Sequence, residues 1–202
     1  DYRGAAPINY AIINGEEQTG VTTFFINEKI DEGNILLQES LPIGESENAG
    51  ELHDRLMELG AKLVVQTLDG LAENKIQEKP QPTVANLKNA FKIFKEDTRI
   101  DWSKDGREIF NFIRGLSPYP SAFTTVLINN EPKTLKIYSG EFVPAENASS
   151  PAGTVNILNN QIKISLKNGY YTPEEVQLEG KKRMPVRDFL NGLKNPQELR
   201  MA

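Results

Sequence analysis

The 202-residue sequence has no cysteine and a single histidine, His53. The missing thiols exclude disulfides, a cysteine nucleophile and cysteine-ligated zinc, and they fit a reducing cytoplasm. One imidazole excludes any metal site built from several histidines. No apolar run approaches the ~18 residues of a membrane-spanning helix. The longest candidate, residues 63–68, is interrupted by Gln66 and Thr67 and reads as the face of a core helix. There is also no initiator Met and no signal-like leader. The run Tyr2-Arg-Gly-Ala-Ala-Pro7 is a turn flowing straight into an apolar helix, so the sequence is expected to open part-way through a domain.

What is present is unevenly charged. The net charge of −5 divides into 7 Lys/Arg against 15 Asp/Glu in residues 1–90, a net of −8, and 16 against 13 in residues 91–202, a net of +3. Such asymmetry predicts two modules with different partners, although a charge of this size is also common on domains that bind no nucleic acid.

Apolar spacing predicts a short helix over residues 5–14, strands over 21–26 and 35–43, and a long amphipathic helix over 50–74, with a possible break at Asp69-Gly70. Two prolines in residues 77–83 mark a linker. Beyond it, a helix over 103–116 with Ser103 as its N-cap is expected. Five short strands follow, over 122–128, 135–142, 153–157, 161–166 and 175–178, and a closing helix over 184–193. That second half suggests a small barrel.

Several residues are candidates for chemistry. Asp31, in Ile30-Asp-Glu-Gly33 between two strands, fits a turn in which Asp accepts a backbone hydrogen bond; it also fits a carboxylate facing a cleft, able to orient a base or accept a proton. His53 lies early in the long helix with no nucleophile or second ligand in its neighbourhood of sequence, and reads as an ordinary helix residue. Arg3 and Gly4 suit either an anion contact or an arginine pinned to a carboxylate. Lys88, Lys92, Lys95 and Arg99 are basic residues near the junction, of which the last three would align on a helix, and Lys181, Lys182 and Arg183 form a second basic cluster, either a solvated surface or a phosphate contact. Trp102 and Tyr119 could stack on a base if exposed; burial is expected for Trp102.

Taken in order, the segments Tyr2-Arg-Gly-Ala-Ala-Pro-Ile-Asn9, Asn14-Gly-Glu16, Thr19-Gly-Val-Thr22, Ile30-Asp-Glu-Gly-Asn-Ile-Leu36, Arg99-Ile-Asp-Trp102, Ile113-Arg-Gly115, Pro118-Tyr-Pro120 and Gly180-Lys-Lys182 leading to Phe189-Leu-Asn191 resemble the methionyl-tRNA formyltransferase family. The resemblance spans nearly the whole chain. It implies an α/β remnant of a Rossmann-like formyltransferase domain over 1–76, a linker over 77–98, and a C-terminal barrel domain resembling the oligonucleotide-binding fold over 99–202. The implied reaction carries a formyl group from 10-formyltetrahydrofolate to the methionine amino group of initiator methionyl-tRNA, without a metal. The implied setting is a cytoplasmic, monomeric parent enzyme away from any membrane.

The family works with an Asn, a His and an Asp. Asp31 matches the Asp. The Asn and His belong to a motif resembling Asn-x-His-x-Ser-Leu-Leu-Pro that precedes the segment beginning here at Tyr2, and it is absent from these residues. His53 cannot stand in for it. The resemblance therefore implies the C-terminal two-thirds of the enzyme, inactive alone. It further assigns Arg3 and Gly4 to a substrate loop, Ile30, Glu32 and Gly33 to the folate pocket, and Lys92, Lys95, Arg99, Arg114, Lys181, Lys182 and Arg183 to tRNA. Two other readings stand beside it: a related folate-dependent enzyme acting on a nucleotide sugar or on 10-formyltetrahydrofolate itself, and a non-catalytic RNA-binding module.

Overall fold

The computed structural model describes residues 2–28, 31–82, 87–145 and 150–201. The first module begins with a two-residue strand, β1 (Arg3–Gly4), and a helix, α1 (Pro7–Ile13), in which proline occupies the first turn, where its missing N–H is no loss. Strands β2 (Gln18–Phe24) and β3 (Ile35–Pro42) form an antiparallel hairpin in register from Gln18 opposite Pro42 to Phe24 opposite Ile35. Helix α2 (Ala49–Ala72) lies on this hairpin. Its Leu52, Leu56, Leu63 and Thr67 recur at four and seven and are buried. Burial of each leucine contributes about 1.5–3 kcal/mol. Thr67 Oγ1 bonds the Leu63 carbonyl at 2.7 Å and meets Thr23 Oγ1 at 2.9 Å, so its hydroxyl is satisfied inside the contact. The possible break at Asp69-Gly70 does not occur. The helix runs on to Ala72, and a Cβ at Gly70 would sit 2.4 Å from Ile76 Cδ1, where the chain folds back on the helix.

Residues 77–98 do not simply cross between modules. Ile35 and Lys79 exchange backbone hydrogen bonds of 2.7 and 2.8 Å. The short strand β4 (Asn89–Ala90) then pairs in parallel with β1. The alignment of Lys92, Lys95 and Arg99 on a helix is not found: the chain is irregular through Phe94 and makes one 3-10 turn at Glu96–Thr98. Tertiary contacts outweigh the helical spacing there. Ile93 packs on the core of the second module, and Asp97 Oδ2 accepts the Phe94 N–H at 2.9 Å.

The second module opens with α3 (Gly106–Leu116), capped by Asp105 and not by Ser103. Asp105 Oδ1 accepts the Arg107 N–H at 2.8 Å, while the Ser103 hydroxyl is already committed to Asp101 at 2.6 Å. Six strands follow: β5 (Ala122–Ile128), β6 (Glu131–Pro144), β7 (Val155–Leu158), β8 (Gln161–Leu166), β9 (Gly169–Leu178) and β10 (Met184–Pro185). After α4 (Val186–Asn191) comes β11 (Arg200–Met201). The sheet order is β11-β5-β6-β9-β8-β7 with β10 on β9, all antiparallel, in a barrel-like sheet.

Strand β9 starts six residues before residue 175. Pro173 and Glu174 disguised its first half, and register shifts at Ile137/Ser139 and Ser139/Gly140 accommodate the pairing. The closing helix is shorter than the expected 184–193, because Met184 and Pro185 pair with β9 first. One apolar core unites Ile109, Ile113 and Leu116 of α3 with Val126, Ile137, Ile164, Tyr171 and Phe189.

The two modules meet where α1 crosses α3. Asn9 Nδ2 donates to the Gly115 carbonyl at 2.7 Å, and a Cβ on Gly115 would stand 2.7 Å from Ile13 Cγ1. The Gly50 N–H donates to the Ser117 carbonyl at 3.1 Å.

Candidate functional site

Three stretches of chain converge on Asp31. Gly4 has φ +140°, and a Cβ there would lie 2.1 Å from the Ala90 carbonyl oxygen, so only glycine lets β1 and β4 approach this closely. That pairing presents the Arg3 guanidinium, whose Nη2 donates to Gln81 Oε1 at 2.7 Å. Gln81 Nε2 in turn donates to the carbonyls of Asp31 and Gly33, both at 2.8 Å. Arg3 Nη1 also lies 3.7 Å from Glu32 Oε1. The arginine thus has both a carboxylate and, through Gln81, a backbone turn to hold.

The turn itself is strained in a definite way. Asp31 has φ +55°, in the left-handed region where Asp is among the tolerated side chains. Gly33 is buried, and a Cβ on it would fall 1.5 Å from the Phe25 carbonyl oxygen. The result is an exposed Asp31 carboxylate on a backbone whose carbonyls are fixed from one side by Gln81. Ile30 lies outside the described residues.

Behind Arg3, a second cluster joins both ends of the first module. Glu16 Oε1 accepts hydrogen bonds from the Tyr2 hydroxyl and from Lys88 Nζ, and Asn14 Nδ2 donates to Tyr2 Oη at 3.1 Å. Lys88, and then Tyr2, hold the Glu16 carboxyl below the usual carboxylate range. Burial, and then Glu16, push the Tyr2 phenol up. Glu16 raises the Lys88 ammonium above its ordinary value. Gln81 was not legible as a site residue, and Lys88 was legible only as one of the basic residues near the junction, not as the partner of Glu16. They lie in what reads as linker, and the only local signal is the Pro80-Gln81-Pro82 context that keeps the chain extended.

The remaining candidates are spread over α2, the junction and the second module. His53 is exposed on α2, 3.1 Å from its neighbour Asp54. Lys92 Nζ stands 5.3 Å from the Phe94 ring centroid, and Lys95 precedes the 3-10 turn. Exposed Arg99 adjoins Ile100, whose N–H donates to the Phe123 carbonyl at 2.8 Å.

Arg114 is half-buried and turned inward. It donates to the carbonyls of Glu47 at 2.8 Å and Gly44 at 3.2 Å and to Asn111 Oδ1 at 2.9 Å, and burial, then Arg107, lower its pKa. Lys181 and Lys182 are exposed on the turn after β9, while Arg183 pairs with Glu175 and lies over the Tyr138 ring at 4.3 Å. Trp102 is buried, with Nε1 donating to Thr124 Oγ1 at 3.1 Å, whereas Tyr119 is 83% exposed. A cleft of about 880 Å³ separates the modules, lined by the turn after α1, the end of β3 and the outer face of α3, with Arg114 at its wall.

Among the described residues no group of three or more His, Asp or Glu side chains could hold a metal ion, and no helix is long and apolar enough to cross a membrane.

Comparison with known proteins follows the same division. Residues 1–68 match the formyl transferase family model and residues 92–194 match its C-terminal domain model. A methionyl-tRNA formyltransferase of Flavobacterium johnsoniae is 48% identical over 193 residues, 96% of this chain and 61% of the relative. One of Azobacteroides pseudotrichonymphae is 49% identical over 197 residues, 95% of this chain and 61% of that protein. The chain thus spans about three fifths of the length of the curated relatives it matches.

Among solved structures, HypX from Aquifex aeolicus in complex with tetrahydrofolic acid superimposes with a TM-score of 0.70 at 18% identity, covering 97% of this chain and 33% of that one. The N-formyltransferase from Helicobacter canadensis, with folinic acid and dTDP-3-aminofucose, gives 0.65 at 20% identity over 91% of this chain and 62% of that one. At such identities these two establish a shared fold alone. With both of its modules matched in order, the chain belongs to the formyl transferase family.

Proposed function

We propose that this chain is part of an enzyme that transfers a formyl group from 10-formyltetrahydrofolate to the methionine amino group of initiator methionyl-tRNA. The observation that carries the reading is the 48–49% identity to methionyl-tRNA formyltransferases, which runs through both modules. In this reading the first module is part of a Rossmann-like domain, and the barrel-like sheet is of the oligonucleotide-binding type. The enzyme is cytoplasmic and monomeric, and the transfer uses a folate co-substrate with no metal.

Attack of a neutral amine on the formyl carbon develops an oxyanion, and an Asn amide and a His from the Asn-x-His motif would stabilise it. Asp31 is assigned the remaining role: its carboxylate holds that His in its working protonation state and assists proton movement from the amine to the folate nitrogen, which leaves as the tetrahedral intermediate collapses and the bond between it and the formyl carbon breaks. Ile30, Glu32 and Gly33 are assigned to the folate side, and Arg3 and Gly4 to the loop that braces the Asp31 turn through Gln81. Lys92, Lys95, Arg99, Lys181, Lys182 and Arg183 are assigned to the RNA. Arg114, whose Nε donates to Asn111 Oδ1 and whose Nη1 donates to the Gly44 and Glu47 carbonyls, is assigned to the junction between modules.

The 202 residues contain one histidine, preceded by Glu51-Leu52, and no Asn-x-His. Alone they are therefore inactive. The test pairs the 202-residue polypeptide with one extended upstream through that motif. The extended enzyme is expected to formylate methionyl-tRNA, its Asp31→Asn variant to lose about 10²–10⁴-fold in kcat, and the 202 residues to show no turnover. Turnover by the 202 residues, or a preference of the extended enzyme for a dTDP-amino sugar, would sink the reading.

A further inference from the structure

Residues 79–95 carry four lysines, Lys79, Lys88, Lys92 and Lys95, and no Asp or Glu, in a chain whose net charge is −5. Two phenylalanines are exposed in the same stretch: Phe91 is 68% exposed and Phe94 is 55% exposed, with Lys92 Nζ over one face of the Phe94 ring. Their neighbours go the other way. Ala90 is fully buried, and Ile93 packs on the core of the second module. The backbone between the phenylalanines is thus anchored on both sides, and the rings are left outside by the fold.

The second ring is also fixed from below. The Phe94 N–H donates to Asp97 Oδ2 at 2.9 Å, and the Phe94 carbonyl accepts the Asp97 N–H at 3.1 Å. Thr98 Oγ1 donates to the Lys95 carbonyl at 2.9 Å. Little backbone freedom remains to be lost when something binds. Of the acidic groups nearby, Asp97 is engaged in this cap and Glu179, which feels Lys95, accepts the Thr134 N–H at 3.0 Å, while Glu96 is exposed beside Lys95.

We infer that Phe91 and Phe94 form a stacking platform for two unpaired bases of single-stranded RNA, with Lys92 and Lys95 on the adjoining phosphates. Exposed aromatic faces alternating with cations, on a stretch free of anions, are what a flexible polyanion with π-faces requires. A protein surface would be matched by apolar burial without this excess of one charge. The inference rests on the RNA-acceptor reading above, and deepens it by naming side chains that the basic residues alone do not predict.

The test measures binding of a short single-stranded RNA to the 202-residue chain between ~50 and ~200 mM salt. Phe91→Ala and Phe94→Ala should each weaken binding about tenfold at every salt concentration, leaving the salt slope unchanged. Lys92→Gln with Lys95→Gln should reduce that slope by about 1.4 units. Tryptophan at either phenylalanine position should retain affinity and leucine should not, which separates stacking from packing. A duplex of the same sequence should show no dependence on the phenylalanines. Absence of RNA binding, affinities of the alanine variants within twofold of the parent, or leucine performing as well as tryptophan would overturn the platform. Formylation by the extended enzyme is scored separately: it reports on the acceptor and the RNA titration on the platform, so either can fail alone.

Discussion

Glu16 shows how much a single side chain can organise. It accepts from Tyr2 at the start of the first module and from Lys88 midway along the expected linker. Its carboxyl titrates lower in the folded chain than its ordinary value of about 4.3, because Lys88 and Tyr2 stabilise the anion. A group whose folded pKa is depressed contributes stability above its unfolded pKa and loses it as pH falls through the folded one. Glu16→Gln should therefore lower the melting temperature at pH ~7 and flatten the decline of stability below pH ~4.5, with the two proteins converging in acid. Parallel melting curves at all pH values would show that Glu16 is not the titrating group. At this scale the sequence was partly legible. The Asp31 turn and the special status of Gly4 followed from residue type, since few side chains tolerate left-handed or crowded backbone. The Gln81 bridge did not, because a glutamine has no local signature and its partners lie some fifty residues away.

Among the elements, α2 was the clearest to foresee. Leu52, Leu56 and Leu63 of its apolar stripe mark the buried face, while Val64 and Leu68 of the same stripe stay exposed, and Asn48 with Glu51 forms the reciprocal cap that begins it. Asn48 Oδ1 accepts from Gly50 at 2.9 Å and Glu51 at 3.0 Å. Asn48→Ala should cost about 1 kcal/mol, a fall of about 2–4 °C in melting temperature for a chain of this size. A change under half a degree would show that water replaces the cap. The same change should also increase exchange at Gly50, whose N–H reaches across to Ser117. Elements whose ends depend on neighbours were harder. Met184–Pro185 became strand because β9 offered a partner, and residues 92–99 form no α-helix, only the 3-10 turn at Glu96–Thr98, because Ile93 is drawn into the core of the second module.

For the molecule as a whole, Arg114 is the telling residue. Its resemblance-based role is RNA contact, yet its side chain bonds the Gly44 and Glu47 carbonyls of the other module. Arg114→Ala should destabilise the chain by about 1–3 kcal/mol, read by urea denaturation, and raise hydrogen exchange at 44–50. It should leave the salt slope of RNA binding unchanged; a slope reduced by about 0.7 would return Arg114 to the RNA surface. The sequence alone determined the modular order, most helices and strands, and the family, because periodicity, turn residues and motif order are local properties of the chain. Only the tertiary structure decided that the supposed linker is knitted to β1 and β3, that Gln81 and Arg3 brace the Asp31 turn, and that Arg114 faces inward while Phe91 and Phe94 face out. Each of these depends on which distant atoms share a hydrogen bond or exclude water, and no window of sequence contains both partners.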